Sequence, residues 1–474
     1  MSTTAATAGP SVQRLSGRAA GALLVLCGAI FLEAIDITML NVALPAVRAE
    51  LRLSTAMLSG TVSAYVLGYG GFMLLGGRTA DLYGRRATFL TALAAFMLFS
   101  LVGGFATEGW TLLVARFVKG VAAAFMTPAG LSIITTTFAE GRARNRALLV
   151  YAAVAAGGYS LGLVVGGLLA AVDWRWVFFA PAALAAMILV AGLRLLPRVA
   201  RTQRPVGGFD LAGAITLTSA MLLLVYGMVR LDHLGAGLVG IIGIWVGGLA
   251  LAAAFVMIER RSRIPLVRLG ILKSGPLVRA NVGALLFVGS FFAFLLLVTL
   301  YLQEVRGWSA LQTALALLVA GLDVILAPTL TPRLVNRFGN VPVILAGMLI
   351  AVVAYTLFLP VGLDSTYAAM LPTMLLLGLA FALTYGPLTI AATDGVAEAE
   401  QGLASGLLNT SFQFGSALGV SAATAVSLAA TSASTPEVAL SAFRVALVVP
   451  IVGAVLAAVT VGAGLSRSRG GKRT

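Results

Sequence analysis

The sequence predicts an all-α integral membrane protein with 14 transmembrane helices and both termini in the cytoplasm. Of its 474 residues, 60% are hydrophobic and only 10% are charged, whereas soluble domains are about half apolar and a quarter charged. Apolar runs long enough to cross a bilayer recur along the whole chain, and short clusters of basic residues separate them. The lipid bilayer is therefore the expected environment of this protein.

Fourteen apolar runs fit the length that a bilayer requires. A transmembrane helix needs roughly 20 apolar residues, and polar segments divide the chain into runs of about that size. The predicted spans are residues 20–45, 56–76, 88–107, 109–131, 147–171, 176–196, 210–229, 237–258, 280–302, 309–331, 341–361, 367–391, 403–429 and 440–465.

The distribution of basic residues predicts the orientation. With the N-terminus inside, 24 of the 32 Lys and Arg residues fall in inner segments and 6 in outer ones. Inner loops of membrane proteins carry such an excess of basic residues. The net charge of +15 is therefore explained by the orientation in the membrane, and we predict no nucleic-acid partner. No small-residue cleavage site follows a short apolar core, so we expect the first run to be a retained helix.

An internal repeat predicts the domain organisation. Residues 76–86 read GGRTADLYGRR and residues 332–339 read PRLVNRFG, with Asn336 at the position of Asp81. Eight spans separate the two connections, which fits two six-helix bundles with a two-helix insert, and secondary transporters are built from such repeats. The predicted units are a cytoplasmic tail (1–17), an N-terminal bundle (18–204), an insert with its linker (205–274), a C-terminal bundle (275–465) and a basic tail (466–474).

Four charged residues fall inside two of the predicted spans. Glu33 and Asp36 lie three residues apart in span 1, and Arg116 and Lys119 have the same spacing in span 4, so each pair shares one helix face. At about 1.5 Å per residue the two antiparallel helices place acids and bases at matching depths. We expect Asp36 to pair with Arg116 and Glu33 to pair with Lys119.

This predicted cluster has two interpretations. Burying four charges adds little stability by itself, which favours a site for protons or substrate. The alternative is a structural ion-pair lock between two helices. If Asp36 exchanges protons, its pair with Arg116 must open during the transport cycle.

Asp323 is predicted to be a second intramembrane acid. It lies in the middle of span 10, and its helix carries no base before Arg333. It is a candidate for reversible protonation and for the counter-charge of a cationic substrate, the alternative being a protonated acid at a glycine-lined helix contact. The candidate substrate contacts are Asp323, Asp36, Lys119, Asn41 and Gln413.

Glycines recur every four residues in span 5. Gly158, Gly162 and Gly166 leave one helix face without side chains, so a second helix can approach closely. The spacing predicts packing and leaves open whether the contact also acts as a gate.

Motifs for other chemistries do not occur in the sequence. There is no GxxxxGK[ST] phosphate loop and no HExxH or GxSxG motif, and the chain has one Cys and one His. We therefore predict no enzyme activity, no metal site and no cofactor. An ion gradient is the remaining energy source.

Several stretches resemble the major facilitator superfamily and, within it, the 14-span drug:proton antiporter branch of multidrug exporters. Residues 77–86 are similar to the superfamily signature between spans 2 and 3, and residues 33–45 resemble the span-1 motif of the branch. Residues 116–120 resemble the span-4 motif, with Lys119 in place of the usual glutamine. Residues 157–167 resemble the antiporter motif without its Gly-Pro pair.

The resemblance implies a mechanism. It implies a monomer in the bacterial plasma membrane that exchanges protons for a small, lipophilic, cationic substrate. The proton-coupling residues would be Asp36, Glu33, Arg116 and Asp323. Those of the conformational gate would be Gly77, Asp81, Gly84, Arg85, Arg86, Gly158, Gly162, Gly166 and Arg337.

Other functions fit the same residues. The alternatives are a dedicated exporter of one endogenous metabolite or antibiotic, a proton-coupled importer, and a membrane receptor or scaffold that transports nothing.

One acidic loop offers a partner for the gate. The resemblance implies that Asp81, Arg85 and Arg86 hold the cytoplasmic side against the start of span 13. The loop before that span, residues 394–402, contains three acids and no base, so we expect it to contact Arg85 or Arg86 when the inside is closed. The alternative is that these acids only stabilise the start of a helix.

Overall fold

The computed structural model describes residues 17–53, 55–197, 210–231, 238–262, 265, 269–308, 310–430 and 436–470. The described residues form α-helices, short 3₁₀ turns and one π turn, and this part of the chain contains no strand. Seventeen α-helices are numbered in chain order.

The first eight helices cover the N-terminal half and the predicted insert. They are α1 (Gly17–Leu51), α2 (Thr55–Tyr83), α3 (Arg85–Gly104), α4 (Gly109–Thr137), α5 (Arg142–Val172), α6 (Trp176–Leu195), α7 (Leu211–Leu231) and α8 (Leu238–Arg261).

Nine helices form the rest of the chain. They are α9 (Gly275–Leu300), α10 (Ala310–Leu318), α11 (Asp323–Thr329), α12 (Thr331–Phe338), α13 (Asn340–Leu357), α14 (Tyr367–Thr393), α15 (Gln401–Ala430), α16 (Pro436–Ala446) and α17 (Val448–Gly470).

The described part of each predicted apolar run is helical, but several boundaries differ. Helix α1 continues six residues beyond the predicted end of span 1. Predicted span 10 divides into α10, a 3₁₀ turn and α11, and a bend of 52° separates it from α12, which starts at the predicted end of the span. Among the described residues, nine helices are long and apolar enough to cross a membrane, or eleven if each bent pair is one span. The count of 14 and the cytoplasmic termini stay predictions.

The helix contacts of the first half recur in the second. Helix α1 packs against α5 and α6, α2 packs against α4, and α3 packs against α4 and α6. In the same order, α9 packs against α15 and α17, α11 against α14, and α13 against α14 and α17. This agrees with the internal repeat in the sequence, while the exact domain boundaries stay a prediction.

The two halves meet along two seams. Helix α2 packs against α15, and α5 packs against α11, α12 and α14. Helices α7 and α8 pack against each other, and α7 also contacts α2 and α15. The described part of the insert therefore lies beside the first seam.

The glycines of α5 bring its backbone against α1. A Cβ on Gly158 would lie 2.7 Å from the Ala34 Cβ, and a Cβ on Gly166 would lie 2.6 Å from the Met39 Cα. At Gly162 an added Cβ would overlap the Thr38 hydroxyl. Real side chains do not approach this closely, so the predicted close packing is present.

Substituting Gly162 tests this packing. We expect Gly162→Ala to lower the free energy of unfolding by about 1–3 kcal/mol, because the added methyl forces α1 and α5 apart. Thermal unfolding of the purified protein in detergent measures the effect.

Gly240→Ala in α8 is the matched control, because nothing lies within 4 Å of its added Cβ. Both substitutions gain the same helix propensity, so their difference isolates the packing. Equal stabilities of the two variants would contradict a close α1–α5 contact.

Candidate substrate and proton site

Asp36 is buried between two cations in the centre of the N-terminal half. Its carboxylate is brought by α1 to the face of α4, and the residue is only 2% exposed. Arg116 Nη1 donates to Asp36 Oδ2 at 2.8 Å, and Lys119 Nζ donates to Oδ1. The predicted Asp36–Arg116 pair is confirmed, and each carboxylate oxygen bonds a different cation.

Aromatic rings enclose both cations. The Arg116 guanidinium lies 4.4 Å from the centre of the Tyr65 ring. The Lys119 ammonium lies 4.7 Å from the Phe96 ring centre and 5.1 Å from that of Phe178. Cations over ring faces are attracted by the quadrupole of the ring, whose face is partially negative. The rings therefore add to the stabilisation that Asp36 gives the two cations.

Glu33 does not pair with Lys119, and that prediction is wrong. The Thr127 hydroxyl of α4 donates to Glu33 Oε2, and the Tyr69 hydroxyl of α2 lies 3.5 Å from Thr127 Oγ1. Thr127 is eight residues beyond Lys119, or about 12 Å along the helix, so one short carboxyl cannot reach both. The Lys119 ammonium instead takes the second oxygen of Asp36.

Asp323 is buried at the break in predicted span 10. The residue is 5% exposed and begins α11, directly after the 3₁₀ turn Val319–Leu322. Its side chain belongs to the first residue of α11, where the helix dipole favours negative charge. Among the described residues no base forms an ion pair with it.

The other predicted substrate contacts are not gathered into one site. Lys119 is fully buried against Asp36 and is closed to a substrate in this state. Gln413 is half-buried on α15, and no described contact joins it to the acidic residues. The side chain of Asn41 lies outside the described residues.

A stack of aromatic rings faces the acids from the second half. Tyr385 of α14 lies between Phe381 and Phe412, with ring centres 5.0 and 4.6 Å away and nearly parallel planes. Phe291 of α9 extends the stack, 4.4 Å from Phe381. The sequence prediction missed this stack because its rings come from separate helices and have no common spacing along the chain.

The Tyr hydroxyls between the two halves connect the stack to Glu33. Tyr385 interacts electrostatically with both Glu33 and Tyr159 of α5. Tyr159 retains 39% of its surface exposed, although it lies among groups from both halves. It therefore lies at the boundary between the two halves with part of its surface exposed.

The signature segment at the end of α2 caps a helix of the opposite half. The backbone N–H groups of Gly402 and Leu403 each donate to an oxygen of Asp81 at 3.0 Å. These N–H groups lie in the first turn of α15 and have no partner within that helix. Arg85 bonds Asp81 at 3.4 Å and contacts Glu398 at 3.5 Å, so the predicted contact with the acidic loop is present.

Close backbone contact supports the same junction. A Cβ on Gly77 would overlap the carbonyl oxygen of Gly402 and lie 3.4 Å from the Gly406 Cα. Gly84 ends the segment with φ +102, and Gly339 ends the second copy with φ +86. Both conformations favour glycine, which explains why the repeat keeps a glycine at this position.

Arg86 does not contact the start of α15, which corrects its predicted contact, and Arg337 does not belong to this junction either. Arg86 Nη2 donates to the Leu193 carbonyl at 2.8 Å and so joins α3 to α6 within the first half. Arg337 is exposed, and its guanidinium lies over the Phe338 ring. Asn336 at the Asp81 position is also exposed, so the second copy does not repeat the buried cap.

A second contact joins the halves at the same end. The Gly395 N–H donates to Glu140 Oε1 at 3.4 Å, and Arg144 pairs with Glu140 at 3.0 Å. Glu140 lies between α4 and α5, and Gly395 lies between α14 and α15. We name these contacts and those of Asp81 and Arg85 the latch, together with Asp394, which precedes Gly395 and interacts with Glu140 and Arg144.

Two latch carboxyls have raised pKa values. Burial raises the pKa of Asp81 to about 6, although Arg85 and the two backbone bonds act in the opposite direction. Burial and the nearby Glu140 raise the pKa of Asp394 to about 6, opposed by Arg144. Both groups therefore bind a proton more tightly in the closed latch than as exposed carboxyls.

The family model described as Major Facilitator Superfamily matches residues 26–420. The chain belongs to the major facilitator superfamily. It is therefore a multi-pass membrane transporter and not an enzyme, and both predictions are confirmed. The cluster around Asp36 and the latch are thus parts of a transporter.

Two relatives in this superfamily are proteins of antibiotic resistance or export. The chain is 36% identical to the puromycin resistance protein pur8 of Streptomyces alboniger, over 90% of this chain and 85% of that protein. It is 35% identical to the cephamycin export protein CmcT of Amycolatopsis lactamdurans, over 88% and 87% of the two chains.

A solved structure shares the fold. The human organic anion transporter MFSD10 superposes with a TM-score of 0.70 at 17% identity, covering 94% of this chain and all of that one. At this identity the similarity concerns the fold alone.

The Asp36 cluster predicts a specific pattern of stabilities. We expect Asp36→Asn to lower the free energy of unfolding by about 3–5 kcal/mol, because two buried cations lose their anion. Adding Lys119→Gln should restore part of the loss, since one uncompensated cation is removed. Thermal unfolding of the wild type, of the two single variants Asp36→Asn and Lys119→Gln and of the double variant measures the coupling, and additive effects would contradict the shared contact.

The latch carboxyls predict a dependence on pH. A pKa raised in the closed state stabilises that state fully below the ordinary carboxyl value of about 4, and this contribution is lost as the pH rises through about 6. Spin labels at Tyr83 and Phe338, exposed in opposite halves, should therefore move apart as the pH rises through this window.

Electron–electron double resonance of the labelled protein measures this distance. Asp81→Asn combined with Asp394→Asn should remove the pH dependence of the distance, while the distance itself remains measurable. A distance that stays constant with pH in the unsubstituted latch would contradict the prediction.

Proposed function

We propose that the protein is a proton-coupled exporter of lipophilic, cationic drugs or antibiotics that works by alternating access. The observation that carries this proposal is the set of buried charged residues on α1 and α4. Charges inside the hydrocarbon region are costly and mark ion or substrate pathways. The resistance and export proteins among the relatives support the direction of transport.

The latch supports an alternating mechanism. Asp81 and Arg85 join the halves at the predicted cytoplasmic end, and the α5–α11 and α5–α12 contacts hold the other seam. Rocking one bundle against the other would break these contacts and turn the central site toward the cytoplasm. The structure then corresponds to a state closed on the inside.

The chemistry of the interior favours aromatic cations as substrates. The stack around Tyr385 offers flat faces for an aromatic body, and Asp323 and Glu33 offer negative charge for a cationic group. A one-for-one exchange of a proton for a monovalent cation moves no net charge. Each unit of pH difference then contributes about 1.4 kcal/mol, and no nucleotide or cofactor is required.

A dedicated exporter of one antibiotic is the second candidate function. The observation that favours it is that both relatives are named after a single antibiotic, puromycin and cephamycin. The same buried charges would serve a narrow substrate range, so breadth must be measured. In either case we place the protein as a monomer in the plasma membrane of a bacterium.

Proton release from acid-loaded inverted vesicles tests the proposal. The vesicles receive tetraphenylphosphonium, a dicationic dye, puromycin or a neutral antibiotic, and a fluorescent dye reports the internal pH. We expect cationic aromatic compounds to dissipate the gradient, because each substrate that enters drives a proton out. Arg116→Ala should abolish the response, while Glu437→Gln, an exposed acid on α16, should not.

The pattern of responses separates the candidates. A response to puromycin alone indicates a dedicated exporter. If no compound changes the internal pH although the protein is verified in the vesicles, proton-coupled export of this substrate class is overturned.

A further inference from the structure

We infer that Glu33 is the carboxyl that exchanges its proton for the cationic group of the substrate, while Asp36 stays ionised throughout the cycle. This inference rests on the proposed function and deepens it by assigning the exchange to one residue. It follows from the different partners that the structure gives to the two acids of α1.

The partners of Asp36 hold it in its charged form. Arg116 and Lys119 bond its two oxygens, and both side chains can only donate hydrogen bonds. A proton on Asp36 would remove its charge and take one oxygen out of these bonds. Two buried cations would then face a neutral group, which is strongly unfavourable.

The partners of Glu33 can form hydrogen bonds with both its ionised and its protonated form. Thr127 and Tyr69 are hydroxyl side chains, and a hydroxyl can donate or accept. Thr127 donates to the carboxylate, and after rotation of its hydrogen it can accept from the carboxylic acid. The site can therefore gain or lose a proton without breaking an ion pair.

No cation among the described residues bonds Glu33, and the groups that face it are mostly phenols. Its own helix contributes Asp36, whose charge is taken up by the two cations of α4. The tyrosines that interact electrostatically with Glu33 come from α2, α5 and α14, and they are Tyr65, Tyr69, Tyr151, Tyr159 and Tyr385. An ionised Glu33 can therefore pair with the cationic group of a substrate.

Tyr159 places this carboxyl beside the boundary between the two halves, where a substrate would lie. Glu33 itself is 4% exposed, whereas Tyr159 is 39% exposed and interacts with Glu33 and Tyr385. An aromatic compound lying on the Tyr385 stack would bring its charge toward Glu33, and the rings themselves attract cations. The exchange then balances: the O–H bond of Glu33 breaks, the proton leaves, and the carboxylate pairs with the substrate cation.

Infrared difference spectroscopy of the purified full-length protein tests the assignment. A background with Asp323→Asn, Asp81→Asn, Asp394→Asn and Glu259→Gln removes other carboxyls that are buried or have raised pKa values, and spectra are recorded over a pH series. We expect a titrating band of a buried carboxylic acid that Glu33→Gln abolishes. Asp36→Asn and Glu437→Gln should retain it.

The choice of probe tests the exchange itself. At a pH where the band is present, tetraphenylphosphonium should abolish it, because the cation displaces the proton. Triphenylphosphine oxide, an uncharged relative, should leave it unchanged. A band that survives Glu33→Gln, or that only Asp36→Asn abolishes, would overturn the assignment.

A further variant decides the matter if Glu33→Gln does not fold. Glu33→Asp keeps the carboxyl and withdraws it by one methylene from Thr127, so the frequency and the midpoint of the band should shift. An unshifted band would contradict the inference.

The spectra need no gradient and therefore separate this inference from the proposed function. A titrating Glu33 in a protein that moves no protons in vesicles would overturn only the coupled export. Coupled transport by a protein whose carboxylic acid band is unchanged by Glu33→Gln would overturn only the assignment.

Discussion

The high cost of placing charge inside a membrane governs the structure of this transporter. Asp36 makes the burial of Arg116 and Lys119 possible, and three aromatic rings complete their enclosure. Because the anion lies on α1 and the cations on α4, the pairing also fixes how the two helices cross. Among the described residues, the neighbouring Glu33 is bonded only by hydroxyl groups, and this difference from Asp36 leaves it available for exchange.

The centre of the N-terminal half and its latch end neutralise buried charge in different ways. At the centre, charge is neutralised within one half of the molecule. At the latch, Asp81 neutralises the helix start of the opposite half, and Arg85 bridges to the acidic loop. A contact between halves can break as they separate, whereas a contact inside one half can persist. The chain thus keeps its permanent and its reversible ion pairs apart.

Much of the fold was predictable from the sequence, because apolar runs and basic clusters report membrane helices directly. The Asp36–Arg116 pair was predictable from helix rise and spacing, and the latch from a short motif beside an acidic loop. The partner of Glu33 was not, because a Thr inside an apolar span gives no signal in the sequence. The break before Asp323 and the stack around Tyr385 were also missed, since both depend on how several helices pack.

The contact between α1 and α5 has a mechanical consequence. Gly158, Gly162 and Gly166 leave one face of α5 without side chains, so its backbone packs directly against residues of α1 and little space remains for the two helices to move against each other. Helices α1 and α5 must then travel as one piece, carrying Glu33 and Tyr159 together. Tyr385 belongs to the other half, so a rocking motion would alter the distance from Glu33 to Tyr385 and leave the Glu33–Tyr159 geometry intact. The second half would thus control the binding strength of a site whose acid belongs to the first.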